Sequence, residues 1–465
     1  MKNMVAKRTA IEELAANVLE TRFKNFDQAT VENAINRLID VVGCLIGGAN
    51  AAGNLELVNL IKNWGGKEEA SIFVHGSKVP AQNSAMVNCI MARSFDFETL
   101  SSFIEGQSIP SHVSGTTIMT ALTLADMKGV DGKELITAFL VGDDIAARLL
   151  AASGFGFTLG WDCIGTVNMM GAAAIAGRLL GLNQLQMRNA FGIVLNQLAA
   201  SFQSIWDGTT SFKLHQGVSA RNGIFSAELA KAGWTGPEDA LLSKFGYFNL
   251  YTEGCVNPEI LTKDLGKKYY SDATFKPYPC CRGTHGPIDC ALVLVSKHDI
   301  TVDNIESVTL YVPKGGLEGF LGQEFEIGDF PHACGVFNYK YTLADALLRK
   351  GVKPEHFSED SIRDPQINTL IGKIELAELM DAKTGLSARV EVKMKDGQVF
   401  SESTDAPKGC PVANPMSREE IQVKFRANVD FSKMLTKENA EKLLVILEKA
   451  DELDSVIRMV ELLVP

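Results

Sequence analysis

The sequence lacks any long apolar stretch. No run approaches the ~18 charge-free apolar residues of a membrane-spanning helix, so we expect no membrane segment. Residues 1–8 are basic, but Glu12 and Glu13 interrupt the apolar core that a signal peptide requires. Low-complexity tracts are also absent, and a composition of 46% hydrophobic and 22% charged residues is typical of globular proteins. We therefore expect a cytoplasmic protein of roughly two or three domains from its 465 residues.

Sequence motifs for nucleotides, metals and serine nucleophiles are missing too. The chain has no Gly-x-x-x-x-Gly-Lys-Ser/Thr, no Gly-x-Gly-x-x-Gly after a predicted strand, no His-Glu-x-x-His and no Gly-x-Ser-x-Gly. It also has no Cys-x-x-Cys pair. Its nine cysteines are scattered and odd in number, which favours free thiols over a zinc or iron–sulfur site. We predict that the protein uses neither a metal nor a cofactor.

The balance of charge argues against a nucleic-acid partner. The net charge of −11 at pH 7 would repel phosphate groups. It does not exclude a small anionic substrate, because local groups of cations determine such binding more than the total charge does. A small anionic substrate would therefore bind where lysine, arginine and histidine occur together.

Apolar residues recur with helical spacing along the first ~270 residues. Asp131 and Glu134 resemble a capping box and predict a helix N-terminus. The small residues of 167–180 predict a buried helix whose neighbours approach closely. The clearest helical stripe consists of Val31, Ala34, Ile35, Leu38 and Ile39. It predicts a helix that ends at Gly47-Gly48.

From about residue 300 the apolar residues alternate instead, as expected of half-buried strands. The alternation is clearest in residues 308–312 and 390–394. Asp396-Gly397 predicts a type I′ hairpin turn after the second of these strands. Residues 343–348 and 367–380 predict helices between the strands.

These changes of spacing predict a mainly α fold, with a large helical domain and a smaller α+β domain. After the α+β part the chain returns to helix, with a capping motif at residues 417–420 and a break near Asp451. A helical tail that follows an inserted domain would pack back onto the first helices, which makes the helical domain discontinuous. The predicted parts are residues 1–270, 271–408 and 409–465.

Residues 275–292 concentrate prolines and chemically active side chains. Pro277 and Pro279 oppose a helix in the first half, whereas the residues from Asp289 onward predict one. A rigid turn before a helix N-terminus can bind an anion. A proline-rich linker with solvated cations is an equally supported interpretation. The side chains that could add charge to such a site are Lys276, Arg282 and His285.

Other acid and base side chains lie in loops or at predicted helix N-termini. His112 is a candidate general base, because a helix N-terminus lowers the pKa of a histidine. Lys213 and His215 suit the binding of a carboxylate or the protonation of a leaving group. Each position also has a structural interpretation: a solvated acid for Asp96, a helix cap for His112 or Asp162, and an exposed basic turn for Lys213 and His215.

These loops fit acid/base chemistry on a carboxylated substrate without a cofactor. Residues 276–285, Lys-Pro-Tyr-Pro-Cys-Cys-Arg-Gly-Thr-His, resemble the Lys-Pro-Tyr-Pro-x-Cys-Arg-x-Thr-His pattern of the MmgE/PrpD family. That family includes 2-methylcitrate dehydratase, cis-aconitate decarboxylase and iminodisuccinate epimerase. Further matching segments are Asp96-Phe97, Ser111-His112, Gly142-Asp143-Asp144-Ile145, Phe337-Asn338-Tyr339-Lys340-Tyr341 and Met416-Ser417-Arg418-Glu419-Glu420.

The resemblance covers nearly the whole chain. It implies a helical domain built from both chain ends, a smaller α+β lid and a homodimer, with the site in the cleft between domain and lid. The resemblance, together with the residue chemistry, gives a set of candidate catalytic residues, which are Asp96, His112, Lys213 and His285. The candidate substrate-binding residues are Asp162, His215, Lys276 and Arg282.

The chain departs from the family pattern at three places. The acidic loop that begins at Asp96 is one residue short, with Glu98 where two aspartates are expected. Asp162 stands where family members commonly carry histidine. Lys213 is two rather than three residues before His215, and Phe212 takes the usual place of the lysine. A carboxylate in place of a histidine makes the site less cationic. A dicarboxylate, or a substrate with an amine or imine, would therefore bind better than a tricarboxylate.

The sequence therefore predicts a lyase or isomerase that removes a proton α to a carboxylate of a small di- or tricarboxylate-type substrate. Dehydration or hydration of the 2-methylcitrate dehydratase type is the first expectation. Epimerisation of the iminodisuccinate type and decarboxylation of the cis-aconitate type are the enzymatic alternatives. The non-enzymatic alternative is a non-catalytic dimeric scaffold that binds a ligand. His112 or His285 would act as base, and Lys213, Lys276 and Arg282 would neutralise the carboxylate and the developing enolate.

Overall fold

A computed structural model describes residues 8–154 and 160–464. Residues 1–7, which carry most of the basic N-terminal stretch, lie outside the described residues. The predicted mainly α fold with a smaller α+β part is confirmed. Among the helices of the described ranges, none combines the length and apolarity needed to cross a bilayer.

The first part of the chain is a set of packed helices. Its longest members are buried along most of their length, and glycine and alanine on the seventh helix allow its neighbours to approach closely. The helices are α1 Ala10–Glu20, α2 Gln28–Gly48, α3 Asn54–Trp64, α4 Ala81–Arg93, α5 Ser114–Lys128, α6 Gly132–Ser153, α7 Val167–Leu179, α8 Gln184–Val194, α9 Gln203–Trp206, α10 Leu214–Lys231 and α11 Tyr247–Tyr251.

Two short sheets accompany these helices. The strands β1 and β2 pair with each other, and β3 pairs with both β4 and β5 in antiparallel fashion. Strand β5 begins at residue 272, so the chain beyond residue 270 still contributes to the sheet of the helical part. The strands are β1 Ala70–Ser71, β2 Lys78–Val79, β3 Leu100–Ile104, β4 Gln107–Ile109 and β5 Asp272–Thr274.

The α+β part, here called the lid, carries a four-stranded sheet in the order β7-β6-β8-β9. The β6 and β7 strands run parallel, and the other pairs are antiparallel. Its elements are α12 His285–Lys297, β6 Ile305–Val312, α13 Lys314–Leu317, α14 Pro331–Val336, α15 Tyr339–Arg349, α16 Glu359–Ile362, α17 Pro365–Ile371, β7 Ile374–Glu378, β8 Ala388–Met394 and β9 Val399–Thr404.

Three local predictions in the lid are wrong. The helix predicted for residues 367–380 ends at Ile371, because residues 374–378 pair with β6 and this pairing outweighs their helical propensity. The hairpin turn is not type I′, since only Gly397 of the two predicted central residues has a positive φ. Helix α12 begins at His285 rather than Asp289, because a proline in the first helical turn interrupts no helical hydrogen bond.

The C-terminal helices pack against the first ones, as expected for a helical domain built from both chain ends. Arg418 donates to Asn36 at 2.8 Å, and Lys424 lies 2.7 Å from Asp40 on α2. The predicted capping box at Ser417 and the break near residue 451 are both present. The helices are α18 Arg418–Ser432, α19 Lys437–Glu448 and α20 Ile457–Leu463.

Gly132 marks a close contact between the first and last parts of the chain. A Cβ at this position would overlap the carbonyl oxygen of Ala450, and the Gly132 N–H donates to the carbonyl of Leu453 at 2.9 Å. We expect Gly132→Ala to lower the free energy of unfolding by about 1–3 kcal/mol, because the backbone must shift. Urea unfolding would measure this loss. Gly315→Ala is the control, since a Cβ at Gly315 meets no atom within 4 Å.

Candidate active site

The predicted site segments come together where several helices begin. His112 precedes α5, Asp162 and the turn after it precede α7, and His215 lies in the first turn of α10. Gln216 on α10 packs directly against Gly115 at the start of α5. The first turns of α5 and α10 are therefore in direct contact.

A buried group of opposite charges occupies this region. Arg93 at the end of α4 bonds to Asp96 and lies 3.2 Å from Glu98. Lys276 lies 2.6 Å from the other carboxylate oxygen of Asp96 and also donates to the Asp96 backbone carbonyl. The Nε2 atom of His112 is 3.7 Å from Asp96. We call these five residues the Arg93 cluster, and it unites the predicted residues Asp96, His112 and Lys276.

The conformation of the loop after α4 brings both carboxylates inward. Asp96 has a φ of 48°, an uncommon value for a residue other than glycine, and its N–H donates to the carbonyl of Arg93 at 3.0 Å. Lys424 on α18 fixes the next residue by donating to the carbonyl of Phe97 at 2.6 Å. The loop is therefore held by Lys276 on one side and by the C-terminal helix α18 on the other.

His112 is the most exposed titratable side chain of the cluster, with 18% of its side-chain surface accessible. Its Nδ1 lies 3.1 Å from Glu98 Oε1, which can only accept, and 3.3 Å from the Arg93 guanidinium, which can only donate. We assign the ring hydrogen to Nδ1, because the contact with the carboxylate is the shorter of the two. Burial, reinforced by Arg93 and Lys276, lowers the pKa of His112 to about 4. The ring is therefore neutral near pH 7, and with the hydrogen on Nδ1 the lone pair is on Nε2, which lies 3.7 Å from Asp96 Oδ1.

Asp272 fixes the backbone on which His112 stands. One of its oxygens accepts from the N–H groups of Val113 and Ser114 at 2.9 and 2.8 Å, and the other accepts from Ser111 at 2.8 Å. Asn168 on α7 donates to the carbonyl of His112 at 2.7 Å. Sequence analysis missed Asp272, because an isolated aspartate in a short strand carries no motif.

Several buried polar atoms around His112 have no hydrogen-bond partner among residues 8–154 and 160–464. Buried polar groups are seldom left unpaired in folded proteins, so their concentration indicates a place for a ligand. Glu98 Oε2 is the least ambiguous of them, since a carboxylate oxygen can only accept. The unpaired atoms are Arg93 Nε, Glu98 Oε2, Asn168 Oδ1 and Gln216 Oε1.

Asp162 and His215 form a second pair beside the cluster. The Nδ1 atom of His215 is 2.8 Å from Asp162 Oδ2, and both side chains are almost fully buried. Gln216 links this pair to the cluster, because its amide donates to Glu98 Oε1 at 2.8 Å. Burial alone would raise the pKa of Asp162, but the hydrogen bond and charge of His215 outweigh it and hold the pKa below its usual value.

The ammonium of Lys213 points toward the segment between α2 and α3. It donates to the carbonyl of Ala52 at 2.6 Å and to Asn54 Oδ1 at 2.9 Å, and it lies 5.6 Å from the ring centre of Phe330 in the lid. Burial lowers the pKa of Lys213 to about 8. In this conformation the lysine spans the contact between the helical part and the lid.

Arg282 and His285 form a third group inside the lid. Arg282 donates to the carbonyls of Lys408 and Pro407 at 2.6 and 3.0 Å, which ties α12 to the chain after β9. His285 is fully buried, with Nδ1 3.0 Å from Arg282 and Nε2 3.2 Å from the carbonyl of Cys280. Both ring nitrogens of His285 are thus engaged, so it could abstract a proton only after losing one of these contacts.

A crevice of about 520 Å³ separates residues 205–208 of the helical part from residues 320–338 of the lid. Phe337 in its wall contacts Phe212, with ring centres 5.1 Å apart. Arg93 in turn lies 5.5 Å from the centre of the Phe212 ring. Two aromatic rings therefore stand between this crevice and the Arg93 cluster.

Asp96, Glu98 and His112 offer ligand atoms within 4.8 Å of one another, a spacing that could hold a metal ion. The guanidinium of Arg93 and the ammonium of Lys276 already contact these carboxylates. A divalent ion would have to displace or approach two positive charges, which Coulomb repulsion opposes. The donor set therefore fits a metal poorly.

Most of the residues that complete the cluster were not selected from the sequence. Glu98 lies in the acidic loop that was noted, but it was not chosen as a site residue. Arg93, and Gln216, which donates to Glu98 of the cluster, lie within helices, where arginine and glutamine are commonplace. The spacing of Arg93 three residues before Asp96 and five before Glu98 is the only local signal, and such spacings are frequent on protein surfaces.

Comparison with known proteins establishes the family. Residues 12–258 match the model of the MmgE/PrpD N-terminal domain, and residues 278–452 match that of the MmgE/PrpD C-terminal domain. The chain belongs to the MmgE/PrpD family. The resemblance seen in residues 276–285 is thereby confirmed across both domains of this MmgE/PrpD protein.

Curated relatives of this MmgE/PrpD protein include cis-aconitate decarboxylases. The Homo sapiens enzyme is 27% identical over 395 residues, which cover 81% of this chain and 78% of the relative. The Aspergillus terreus enzyme is 23% identical over 424 residues, which cover 85% of this chain and 84% of the relative. The similarity thus extends over most of both chains.

The lowered pKa of His112 predicts an acid-tolerant activity. A base with a pKa of about 4 is about nine-tenths unprotonated at pH 5, against about 3% for an ordinary histidine with a pKa of about 6.5. Only the unprotonated ring can accept a proton, so protonation of His112 should lower kcat/KM little between pH 7 and pH 5. The measurement is a pH profile of kcat/KM, and an acid limb near pH 6.5 would contradict the assignment.

Proposed function

We propose that this MmgE/PrpD protein is a cofactor-independent lyase that acts on a small carboxylated substrate by abstracting the proton next to a carboxylate. His112 is the base. The observation that carries the proposal is a neutral, partly exposed His112, held at Nδ1 by Glu98 and surrounded by buried polar atoms without partners. Family membership and the names of the relatives support lyase chemistry.

The charges of the site favour a substrate with few carboxylates. Arg93 and Lys276 face the carboxylates of Asp96 and Glu98, and Arg93 also interacts electrostatically with Asp162. The positive charges are therefore already balanced within the protein. Arg93 Nε, which has no partner among the described residues, is a donor available to one carboxylate of the substrate. A dicarboxylate suits this balance better than a tricarboxylate.

The unpaired acceptors favour a substrate that also carries a donor. Glu98 Oε2 requires an O–H or N–H group if it is to be satisfied in the complex. A hydroxylated dicarboxylate would supply one, and loss of that hydroxyl is dehydration. For this reason we place dehydration, or the reverse hydration, first. An amine or imine group would satisfy the same acceptor, which keeps epimerisation of the iminodisuccinate type as an alternative.

Decarboxylation is the second candidate function, and the relatives favour it. The human and fungal relatives are named cis-aconitate decarboxylases. In a decarboxylation His112, once protonated, would deliver a proton to the carbon that loses carbon dioxide.

A non-catalytic dimeric scaffold would use the same unpaired groups for binding alone. The homodimer, the cytoplasmic location and the domain bounds at residues 270 and 408 also remain proposals.

Incubation with a defined panel in D₂O, followed by NMR, tests the proposal. The panel is malate, 2-methylcitrate, cis-aconitate and iminodisuccinate. We expect deuterium at the carbon next to a carboxylate, together with loss of water, and faster turnover of malate than of the tricarboxylates. Release of carbon dioxide from cis-aconitate would favour decarboxylation, and exchange without loss of a group would favour epimerisation. No exchange and no product from any compound would sink the enzymatic proposal.

A further inference from the structure

His215, like His112, has a carboxylate oxygen within hydrogen-bond distance of its Nδ1 atom. Its Nδ1 lies 2.8 Å from Asp162 Oδ2, as the Nδ1 of His112 lies 3.1 Å from Glu98. A carboxylate oxygen can only accept, so the ring hydrogen of His215 on this side is fixed on Nδ1 and Nε2 faces the opposite way. Both histidines stand next to helix N-termini, and each has one carboxylate behind it.

Two hydrogen bonds to the backbone hold Asp162 in place. Its second oxygen accepts from the N–H of Ile164 at 3.0 Å, and its own N–H donates to the carbonyl of Ala200 at 3.0 Å. The Asp162 side chain is 3% exposed and the His215 side chain 7%. A carboxylate fixed in this way orients the imidazole and stabilises positive charge on the ring, as the aspartate of a catalytic triad does.

The two histidine–carboxylate pairs are connected through Gln216. Glu98 Oε1 lies 3.1 Å from His112 Nδ1 and accepts from the Gln216 amide at 2.8 Å. Gln216 directly follows His215, so the first turn of α10 is tied to the carboxylate that supports His112. The unpaired atoms of Arg93, Glu98 and Gln216 lie around this junction. A substrate that reaches those atoms would lie against the His112–Glu98 pair and beside the first turn of α10, which carries His215.

We propose that His215 is the proton donor of the reaction and that Asp162 is its positioning residue. The assignment rests on the proposed function, because it divides one elimination between two histidines. His112 Nε2 takes the proton next to the carboxylate, and the electrons of that C–H bond form the new carbon–carbon double bond. For this step His215 carries hydrogens on both ring nitrogens, and the Asp162 carboxylate balances the charge of the ring. The carbon–oxygen bond breaks, and the leaving oxygen takes the Nε2 proton of His215 and departs as water, which leaves the His215 ring neutral. Solvent then returns His112 and His215 to their starting states.

If His112 removes the proton and His215 donates one, a substitution of His215 should slow loss of water more than deuterium exchange. We would compare His215→Gln, Asp162→Asn and Asp162→Glu with the wild-type protein, using malate and 2-methylcitrate in D₂O. Exchange at the carbon next to the carboxylate and formation of the alkene would be followed together by NMR. The matched control is His356→Gln, because His356 Nδ1 lies 2.9 Å from Asp345 Oδ2 within the lid.

In His215→Gln we expect alkene formation to fall about 10²-fold or more, as loss of a general acid does. The rate of deuterium exchange should fall less than about threefold, because His112 still abstracts the proton. KM should also change by less than about threefold. Asp162→Asn should also lower kcat for alkene formation, and Asp162→Glu should retain part of the kcat that Asp162→Asn loses. His356→Gln should change neither rate.

The outcomes distinguish the inference from the proposed function. If exchange and alkene formation fall together in His215→Gln, or if only KM rises, His215 is not the proton donor. If thermal unfolding shows that His215→Gln does not fold, the same comparison in Asp162→Asn and Asp162→Glu decides, and equal kcat in these two variants overturns the role of Asp162. If the wild-type protein neither exchanges nor converts any substrate, the proposed function itself fails, and this inference fails with it.

Discussion

Replacing His112 by glutamine is expected to lower kcat/KM by about 10²–10⁴-fold, the usual contribution of a general base. Glutamine keeps a polar side chain of similar reach, so the Arg93 cluster should remain folded. The loss should appear in kcat rather than in KM, because the base acts on a proton that moves only during the chemical step. Steady-state kinetics with the best substrate of the panel would measure both parameters.

A matched control for this variant is His298→Gln. His298 stacks on Phe400 in the lid, with ring centres 4.1 Å apart, and it has no part in the proposed chemistry. We expect its kcat/KM to remain within about twofold of wild type, as for most substitutions far from a site. A His112→Gln variant that keeps wild-type kcat would remove His112 from the mechanism.

Replacing Asp96 by asparagine is expected to lower the free energy of unfolding by about 3–5 kcal/mol, because it leaves Lys276 buried without its carboxylate. Lys276 is fully buried and contacts both a side-chain oxygen and the carbonyl of Asp96. Burial already lowers the pKa of Lys276 to about 7. The destabilisation should therefore be greater at pH 6 than at pH 9, where the lysine can shed its charge.

Urea unfolding of Asp96→Asn at the two pH values would test this expectation. Glu402→Gln is the control, because it breaks the exposed pair between Glu402 and Lys297 at 2.8 Å. Exposed pairs of this kind contribute at most about 1 kcal/mol. If Asp96→Asn is no more destabilising than Glu402→Gln, the buried ion pairs do not hold the loop after α4 in place.

The fold was largely predictable because hydrophobic spacing reports burial directly. The stripe beginning at Val31 and the alternation in residues 308–312 correspond to α2 and β6. The prediction was wrong at residues 374–378, where helix-forming residues pair with β6. Pairing with a distant strand leaves no local signal when the strand is short and lies at the edge of a sheet.

The candidate site was predictable only in part. Sequence analysis chose Asp96, His112 and Lys276, and the structure brings them together. It could not identify Arg93 or Asp272 as their partners, since a buried ion pair depends on which elements fold against each other. It also could not show that both nitrogens of His285 are engaged within the lid, because that contact depends on the turn conformation of residues 280–285.

The central claim is that His112 removes a proton next to a carboxylate of the substrate. The most direct measurement is the rate of deuterium incorporation at that carbon, compared between the wild-type protein and His112→Gln in D₂O with the same substrate. We predict incorporation by the wild type and a rate at least about 100-fold lower in the variant, with substrate affinity retained. Equal rates in the two proteins would contradict the assignment of His112 as the base.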